Sequence, residues 1–528
     1  MFFTKPVSSR LSAALATAAV LAGTLAACGS SGHHKTAAES WPEPNGIMPV
    51  AAPPKDQSLA LNHPIQAAFH PPAKRPNLLM ITVDDAAWAD MPYMKTLQKT
   101  LAAHGTTLTD GLSPTPLCVP ARASLLSGQY ATNHHARSIT GENGGYTSFN
   151  EAHTLPIWLQ QAGYNTYFIG KYLNGYGENG TENQIPPGWT SWNASLDPTT
   201  YSFENEKFNQ NGNIHTLPGY ITDVDSTMSN SLLAQQAHSK KPWYMWVNYV
   251  APHQGGGMEP SDPKLGCTPS GKPFGTTRPA QSDEGTFSGI QLPHTPDMFE
   301  KDTSDKVIIP EVHVPVSMPC RAVFRYAHEQ RVEALQDVDR ALGRTLDTLK
   351  RTGQLANTEV VFTSDNGFAL GEHNLSGKLW YFQPILSVPM YIMGPGVPAG
   401  KKSSLPVSNA DWAPTFAALA GAKITGLSPD GSNIFPYLRT QATQRIIPIA
   451  GWGPHNGVKP KYVGVTIGKW LYVRHNQKQE AYDRAVDPYE LNNIINDPRF
   501  HSQVARLRQL TRQYAMCAGD TCSHAFYR

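Results

Sequence analysis

Three short stretches bring together side chains that could do chemistry. Asp84 and Asp85 close the apolar run NLLMITV, and Asp365 and Asn366 follow EVVFTS within SDNG. Two carboxylates at one strand end, with a carboxylate and an amide carbonyl at another, offer oxygen ligands of the kind that Ca2+ and Mg2+ take. Asp and Asn in such places also serve as caps and turn formers, so these pairs alone leave both roles open. The third stretch is LCVPARASLLSG, from Leu117 to Gly128. Cys118 stands just before Pro120 and a helix-prone run, which sets its sulfur near the positive end of a helix with Arg122 one turn along. That suits a thiolate nucleophile or an anion site. A half-cystine or a buried thiol is the structural alternative in an exported chain.

Elements must position these groups. Residues 77–83 form an unbroken apolar run of strand length, which predicts a central parallel strand. A helical pattern runs to His104 and closes at Gly105, and HTLPIWLQQAG reads as a helix before a strand at 166–169. Further strands are expected at 243–250, 360–363 and 388–393. The longest helix pattern, 322–351, carries Leu335, Val338, Leu342, Leu346 and Leu349 at helical spacing and stops at Gly353. Alternating strands and helices predict an α/β fold with a large, mostly parallel central sheet flanked by helices, spanning residues 76–430. The segment 254–319 is rich in Gly, Pro, Ser and Thr and reads as a surface insertion that shapes access. Beyond Gly431, strand-prone YVGVTIGKWLYVRH, then DPYELNN and a helical pattern, predict a smaller α+β subdomain over 431–528.

Composition narrows the function classes. The chain has 528 residues, 43 Lys+Arg against 41 Asp+Glu, and 40% hydrophobic residues, enough for a large core and far from a polyanion-gripping charge. Nucleic acid is excluded as an expected partner. With 43 Gly and 44 Pro it is too loop-rich for a helical bundle. Residues 1–27 read as a signal peptide, with Lys5 and Arg10 ahead of an uncharged stretch from Leu11 to Ala27. Leu25-Ala26-Ala27-Cys28 resembles a bacterial lipobox, which predicts lipidation at Cys28 and an exported protein anchored to the cell membrane on a flexible spacer, 28–75. No later run approaches the ~18 apolar residues of a spanning helix.

CVPAR followed by ASLLSG resembles the CxPxR signature of the sulfatase family, whose cysteine is oxidised after translation to formylglycine. The same family pattern recurs in order as VDD at Asp84 and Asp85, GK at Lys171, PH at His253, SDNG at Asp365, GK at Lys378, and DPYELNN from Asp487 to Asn493. NHH at Asn133 to His135 and GKYLNGYG from Gly170 resemble the N-acetylglucosamine-6-sulfatase branch in particular. The resemblance implies an alkaline-phosphatase-like fold and a sulfuric ester hydrolase acting on a sulfated small molecule or glycan. It implies a divalent cation, typically Ca2+ with Mg2+ as the alternative, held by Asp84, Asp85, Asp365, Asn366 and the modified Cys118. It also implies maturation by a formylglycine-generating enzyme. The hydrated aldehyde would offer one hydroxyl to attack sulfur and keep the other to expel sulfate. Arg122 would orient it, Lys171 and Lys378 would bind sulfate oxygens, His253 with Lys378 would protonate the leaving alcohol, and Asp365 would act as base.

Some positions depart from the family pattern. Ala121 stands where many sulfatases have Ser, and Leu173 stands where many have His, which leaves the base for sulfate expulsion unassigned. Gln383 and Ser387 replace commoner charged residues near Lys378, and substrate contact by His134 or His135 is an open expectation. With Cys28 and Cys118 set aside, Cys267, Cys320, Cys517 and Cys522 allow three pairings. The local one, Cys267 with Cys320 and Cys517 with Cys522, is expected on loop-closure grounds. Two other functions remain open at this level. One is a phosphoester or phosphonate hydrolase on the same scaffold, and the other is a non-catalytic glycan-binding lipoprotein with Cys118 unconverted.

Overall fold

A computed structural model describes residue 59 and residues 61–528 except 315 and 316. The expected signal peptide, Cys28 and most of the spacer lie outside the described residues. Among the described residues no helix is long and apolar enough to cross a membrane.

The strands, in chain order, are β1 (Asn77–Val83), β2 (Thr106–Leu112), β3 (Asn165–Gly170), β4 (Ser191–Ser195), β5 (Glu204–Gln210), β6 (Asn213–Tyr220), β7 (Trp243–Asn248) and β8 (Thr358–Ser364). A two-residue ribbon, β9 (Ala369–Leu370) and β10 (Ser376–Gly377), precedes β11 (Met390–Met393) and β12 (Lys401–Ser408). The last four are β13 (Ile446–Gly451), β14 (Tyr462–Ile467), β15 (Trp470–His475) and β16 (Lys478–Asp483).

Ten strands form one sheet in the order β12-β2-β11-β8-β1-β7-β3-β4-β5-β6. The run β8-β1-β7-β3-β4 is parallel, with Leu79 opposite Val360 on one side and Met245 on the other. Antiparallel pairing enters at β11 and in the outer β4-β5-β6 meander. Side-chain alternation explains why β1 is apolar throughout. Leu78 and Met80 join Val361, Trp246 and Phe168 in one core cluster, packed with Val119, Leu125 and Leu126 from the Cys118–Ser127 helix. Leu79, Ile81 and Val83 join Phe362, Val247 and Ile169 in a second, packed with Leu335, Val338, Leu342 and Leu349 of the Met318–Arg351 helix. Both sheet faces are therefore covered.

Several elements differ from the expectation. The helical pattern before Gly105 is realised without a break over residues 95–104, widened to a π turn at Gln98–Ala102, and a 3-10 turn at Trp88–Tyr93 that contains Pro92 precedes it. The long helix starts four residues early, at Met318, with Pro319 in its first turn, where the missing N–H costs nothing. Strands β2, β4, β5, β6 and β12 are not anticipated by an apolar run. β5 and β6 carry Asn, Lys, Glu and Thr at the sheet margin, where they meet solvent, whereas β2 and β4 are nearly buried throughout despite their polar residues.

Residues 254–308 hold no named strand or helix and run along the long helix. Arg340 pairs with Asp283, and the backbone N–H groups of Phe287 and Gly289 donate to Glu333 and Glu329 at 2.9 Å each. Disulfides join Cys267 to Cys320 and Cys517 to Cys522, the local pairing, and Cys118 is the free cysteine among the described residues.

The smaller subdomain is a four-stranded antiparallel sheet, β13-β14-β15-β16. One face (Ile446, Val465, Tyr472) packs on Val504, Leu507 and Leu510 of the His501–Tyr514 helix. The other (Ile447, Ile449, Leu471, Val473) packs on Trp380, Tyr381, Phe382 and Ile385, the residues just after Lys378. The small sheet thus braces the segment that carries a candidate catalytic lysine.

Candidate active site

Parallel pairing does most of the assembly. In the neighbouring strands β8, β1, β7 and β3, the C-terminal ends deliver Asp365 and Asn366, Asp84 and Asp85, Asn248, and Lys171 side by side. Ligand sites collect at such ends because the loops leave the sheet there. Gly170, directly before Lys171, has φ +92, and a Cβ on it would stand 2.2 Å from the Asn248 carbonyl oxygen, so only glycine fits between β3 and β7. The same oxygen accepts from Lys171 N at 3.1 Å, which fixes where the lysine leaves the strand. Asp85 adopts φ +67, an uncommon conformation for a residue with a side chain.

Cys118 enters from the other layer, as the first residue of the Cys118–Ser127 helix. Its Sγ lies 3.5 Å from Asp84 Oδ1 and accepts from Lys378 Nζ at 2.8 Å. Lys378 Nζ also donates to Asp85 Oδ1 at 2.6 Å, and Lys171 Nζ pairs with Asp84 Oδ2. Arg122, one turn along the helix and fully buried, ties the strand ends together. Its Nε donates to Asp365 Oδ2 at 2.9 Å, Nη2 to Asp84 Oδ2 at 3.3 Å, and Nη1 to Asn248 Oδ1 at 3.1 Å and to the Lys171 carbonyl at 2.9 Å. Asp365 Oδ1 accepts from the backbone N–H of Asp85 at 3.2 Å and of Asn366 at 2.8 Å. Asn366 Nδ2 donates to Asp85 Oδ1 at 2.6 Å, while its Oδ1 is buried with no donor. His253 follows β7, places Nε2 3.6 Å from Asp85 Oδ2, and turns Nδ1 toward the Gln254 carbonyl at 2.7 Å.

All the site residues expected from the sequence therefore meet: Asp84, Asp85, Cys118, Arg122, Lys171, His253, Asp365, Asn366 and Lys378. The donors fit an oxygen-seeking cation. One ligand atom each from Asp84, Asp85, Cys118 and His253 lies within 4.8 Å of the others, and the neighbouring loop adds the Asp365 carboxylate and an Asn366 amide oxygen that lacks a donor.

The charges interlock. Burial works against ionising Asp84, but Lys171, His253, Arg122 and Lys378 together hold it well below the usual carboxylate range. Asp85 is lowered against burial by Lys378 and His253. Burial and the Asp84 charge push Asp365 up to about 6 despite Arg122. Burial pulls His253 down to about 4 against the two aspartates, which leaves a neutral ring whose Nδ1–H donates to Gln254. Cys118 does not become the thiolate that a helix mouth would favour. Burial and Asp84 push its thiol up to about 12, outweighing Lys171 and Lys378.

Two expectations about substrate contact divide. His134 is buried, with Nε2 3.2 Å from Ser124 Oγ and 3.1 Å from the Pro120 carbonyl, and burial lowers it to about 3, so it braces the Cys118 helix. His135 is the more exposed and lies 2.8 Å from Arg137. Leu173 is buried in the first core cluster with Tyr172 and Tyr176. Sequence reasoning missed three residues. Asn248 anchors Arg122, and only its place at the end of the WYMWVN strand could have marked it. Tyr201 lies under Lys171 Nζ at 4.8 Å and against the His253 ring at 4.7 Å between centroids, from the short 3-10 turn Thr199–Tyr201, which no sequence pattern marks. Arg331, midway along the long helix, donates to the Asp85 carbonyl and to Asp90 Oδ2 at 2.6 Å each. Its periodicity reads only as a helix face.

Comparison with known proteins gives one picture. Residues 76–422 match the family model described as Sulfatase, and residues 371–516 match one described as N-sulphoglucosamine sulphohydrolase, C-terminal. An arylsulfatase of Volvox carteri is 30% identical over 511 residues, covering 87% of this chain and 77% of its own. An N-acetylglucosamine-6-sulfatase of Capra hircus is 25% identical over 502 residues, covering 85% of each. Among solved structures, one in complex with its substrate D-glucosamine-2-N,6-O-disulfate aligns with a TM-score of 0.65 at 22% identity, over 83% of this chain and 97% of that one. At that identity the likeness shows the fold, which is the alkaline-phosphatase-like one expected.

Proposed function

The chain belongs to the sulfatase family, and from that premise we propose that it hydrolyses the sulfate monoester of a sugar through an oxidised Cys118 and a bound divalent cation. The observation that carries the reading is Cys118 at a helix mouth, with Lys378 Nζ 2.8 Å and Asp84 Oδ1 3.5 Å from its sulfur. A thiol held up at about 12 is a poor nucleophile, and it has one hydrogen to give where the reaction needs two hydroxyls. Conversion to formylglycine would supply them as the hydrated aldehyde.

Asp84, Asp85, Asp365 and Asn366 would hold the cation, Ca2+ or Mg2+, with the modified Cys118 completing the set. Such a cation would polarise the sulfate oxygens as a Lewis acid. The chain's own residues do the rest. Lys171, Lys378 and Arg122 place three fixed positive charges around the sulfate, in a buried setting where they need no reorganisation as charge builds. Asp365, pinned by Arg122 and two backbone amides, takes the proton of the attacking hydroxyl. His253 Nε2, bare in the neutral ring because the Gln254 carbonyl holds Nδ1–H, would first take up a proton and then pass it to the leaving oxygen, with the Lys378 ammonium beside it.

The substrate class follows the N-acetylglucosamine-6-sulfatase and arylsulfatase relatives, a sulfated amino sugar being the first choice. The lipobox-like leader supports export and anchoring at Cys28, and the CVPAR motif supports maturation by a formylglycine-generating enzyme. The test combines mass spectrometry of the Cys118 peptide with assays on sulfated monosaccharides and on matched aryl sulfate and phosphate. Aldehyde at Cys118, sulfate release, and loss of activity in Cys118→Ala are expected. Preference for phosphate, or full activity in Cys118→Ala, overturns the reading.

A further inference from the structure

A cavity of about 340 Å3 opens outside the catalytic cluster, and no residue of that cluster lines it. Its walls include Trp88, Asp297, Glu372, Ser387, Tyr489 and Glu490. Gln383, which with Ser387 departs from the family pattern, lines it too. Asp297 and Glu490 are 4% and 0% exposed, yet Asp297 Oδ1 and Glu490 Oε1 have no hydrogen-bond partner. The second oxygen of Glu490 accepts from Gln383 N at 2.8 Å, and Glu372 Oε2 accepts from Leu370 N at 2.6 Å.

The neighbouring cations are engaged elsewhere. Lys306 pairs with Glu300 and Asp305, and Arg484 donates to the Gln383 side chain and to the Lys469 and Gly468 carbonyls. His373, 4.0 Å from Glu490, is lowered by burial to about 3 and is neutral. Three carboxylates thus line one chamber, and none forms an ion pair with Lys or Arg among the described residues. Burial raises Asp297 and pushes Glu372 and Glu490 up to about 7, so the chamber by itself favours their protonated forms, and a positively charged guest would favour the carboxylates.

We propose that this cavity binds a compact organic ammonium ion. Trp88 and Tyr489 supply aromatic faces for its alkyl groups and charge, and the volume is that of a small-molecule site. A bare metal ion suits it less well. Among the described residues, only the catalytic cluster brings three or more acid, His or Cys ligand atoms within 4.8 Å of one another. An ammonium with a carbon body spans carboxylates too far apart to share one metal.

Calorimetric titration of the full chain with choline, and with 3,3-dimethylbutan-1-ol as the uncharged molecule of the same shape, tests the proposal. Saturable choline binding is expected, about tenfold or more tighter than the neutral analogue, and weakened about tenfold by Asp297→Asn and by Glu372→Gln. No saturable choline binding, equal binding of the two molecules, unchanged binding in both variants, or displacement of choline by CaCl2 each overturns it. The choline comparison on the unsubstituted chain stands even where a variant fails to fold.

Discussion

Arg122 shows how much of the site one side chain organises. Its planar fork reaches two carboxylates, an amide oxygen and a carbonyl that come from four different strand ends. Lysine keeps the charge but offers one point in place of the fork. Arg122→Lys is therefore expected to lower kcat on an aryl sulfate about 100-fold with the chain still folded by circular dichroism. A second buried residue makes a prediction about stability. Glu359 on β8 has no partner for either side-chain oxygen, and burial pushes it up to about 9 from 4.5. A folded pKa above the unfolded one gives stability that is full below 4.5 and is lost as pH rises through about 9. Glu359→Gln should remove that loss, raising thermal stability at pH 8 by on the order of 2 kcal/mol relative to the parent and by little at pH 4.5. Equal shifts at both pH values would count against the account.

At the level of elements, the site is a property of adjacent strand ends. The carboxylates of β1 and β8 meet because Val83 pairs with Ser364 in parallel register. Chelation by EDTA is expected to abolish sulfate release, and Ca2+ or Mg2+ to restore it, because the convergent carboxylates lose their shared counter-ion. The contact of β3 with β7 is as demanding. Gly170→Ala adds a methyl 2.2 Å from the Asn248 oxygen at φ +92, so the strands must part just where Lys171 and Asn248 leave them. A loss of about 2 kcal/mol or more is expected, with kcat falling alongside. Differential scanning calorimetry and aryl sulfate assays on the same preparation check both. The apolar runs of β1, β7 and β8 were legible because burial on both faces leaves no polar alternation.

Over the whole molecule, the C-terminal sheet divides its labour between two faces, one on its own helix and one on the residues after Lys378. Leu471→Ala and Leu507→Ala, both fully buried, should each cost about 3 kcal/mol. Only Leu471→Ala is expected to lower kcat in a folded sample, since it alone loosens the support of Lys378. Equal kcat in the two variants would remove the brace from the account. By itself the sequence determined the α/β class and the local disulfide pairing and pointed to the residues that meet in the candidate site, because apolar runs, motif spacing and short loops are local properties of the chain. Only the tertiary structure decided that Asn248, Tyr201 and Arg331 join the candidate site, that His134 braces a helix, and that burial pushes the Cys118 thiol up. Each depends on burial and on charges carried by residues far along the chain, and these have no periodicity to read.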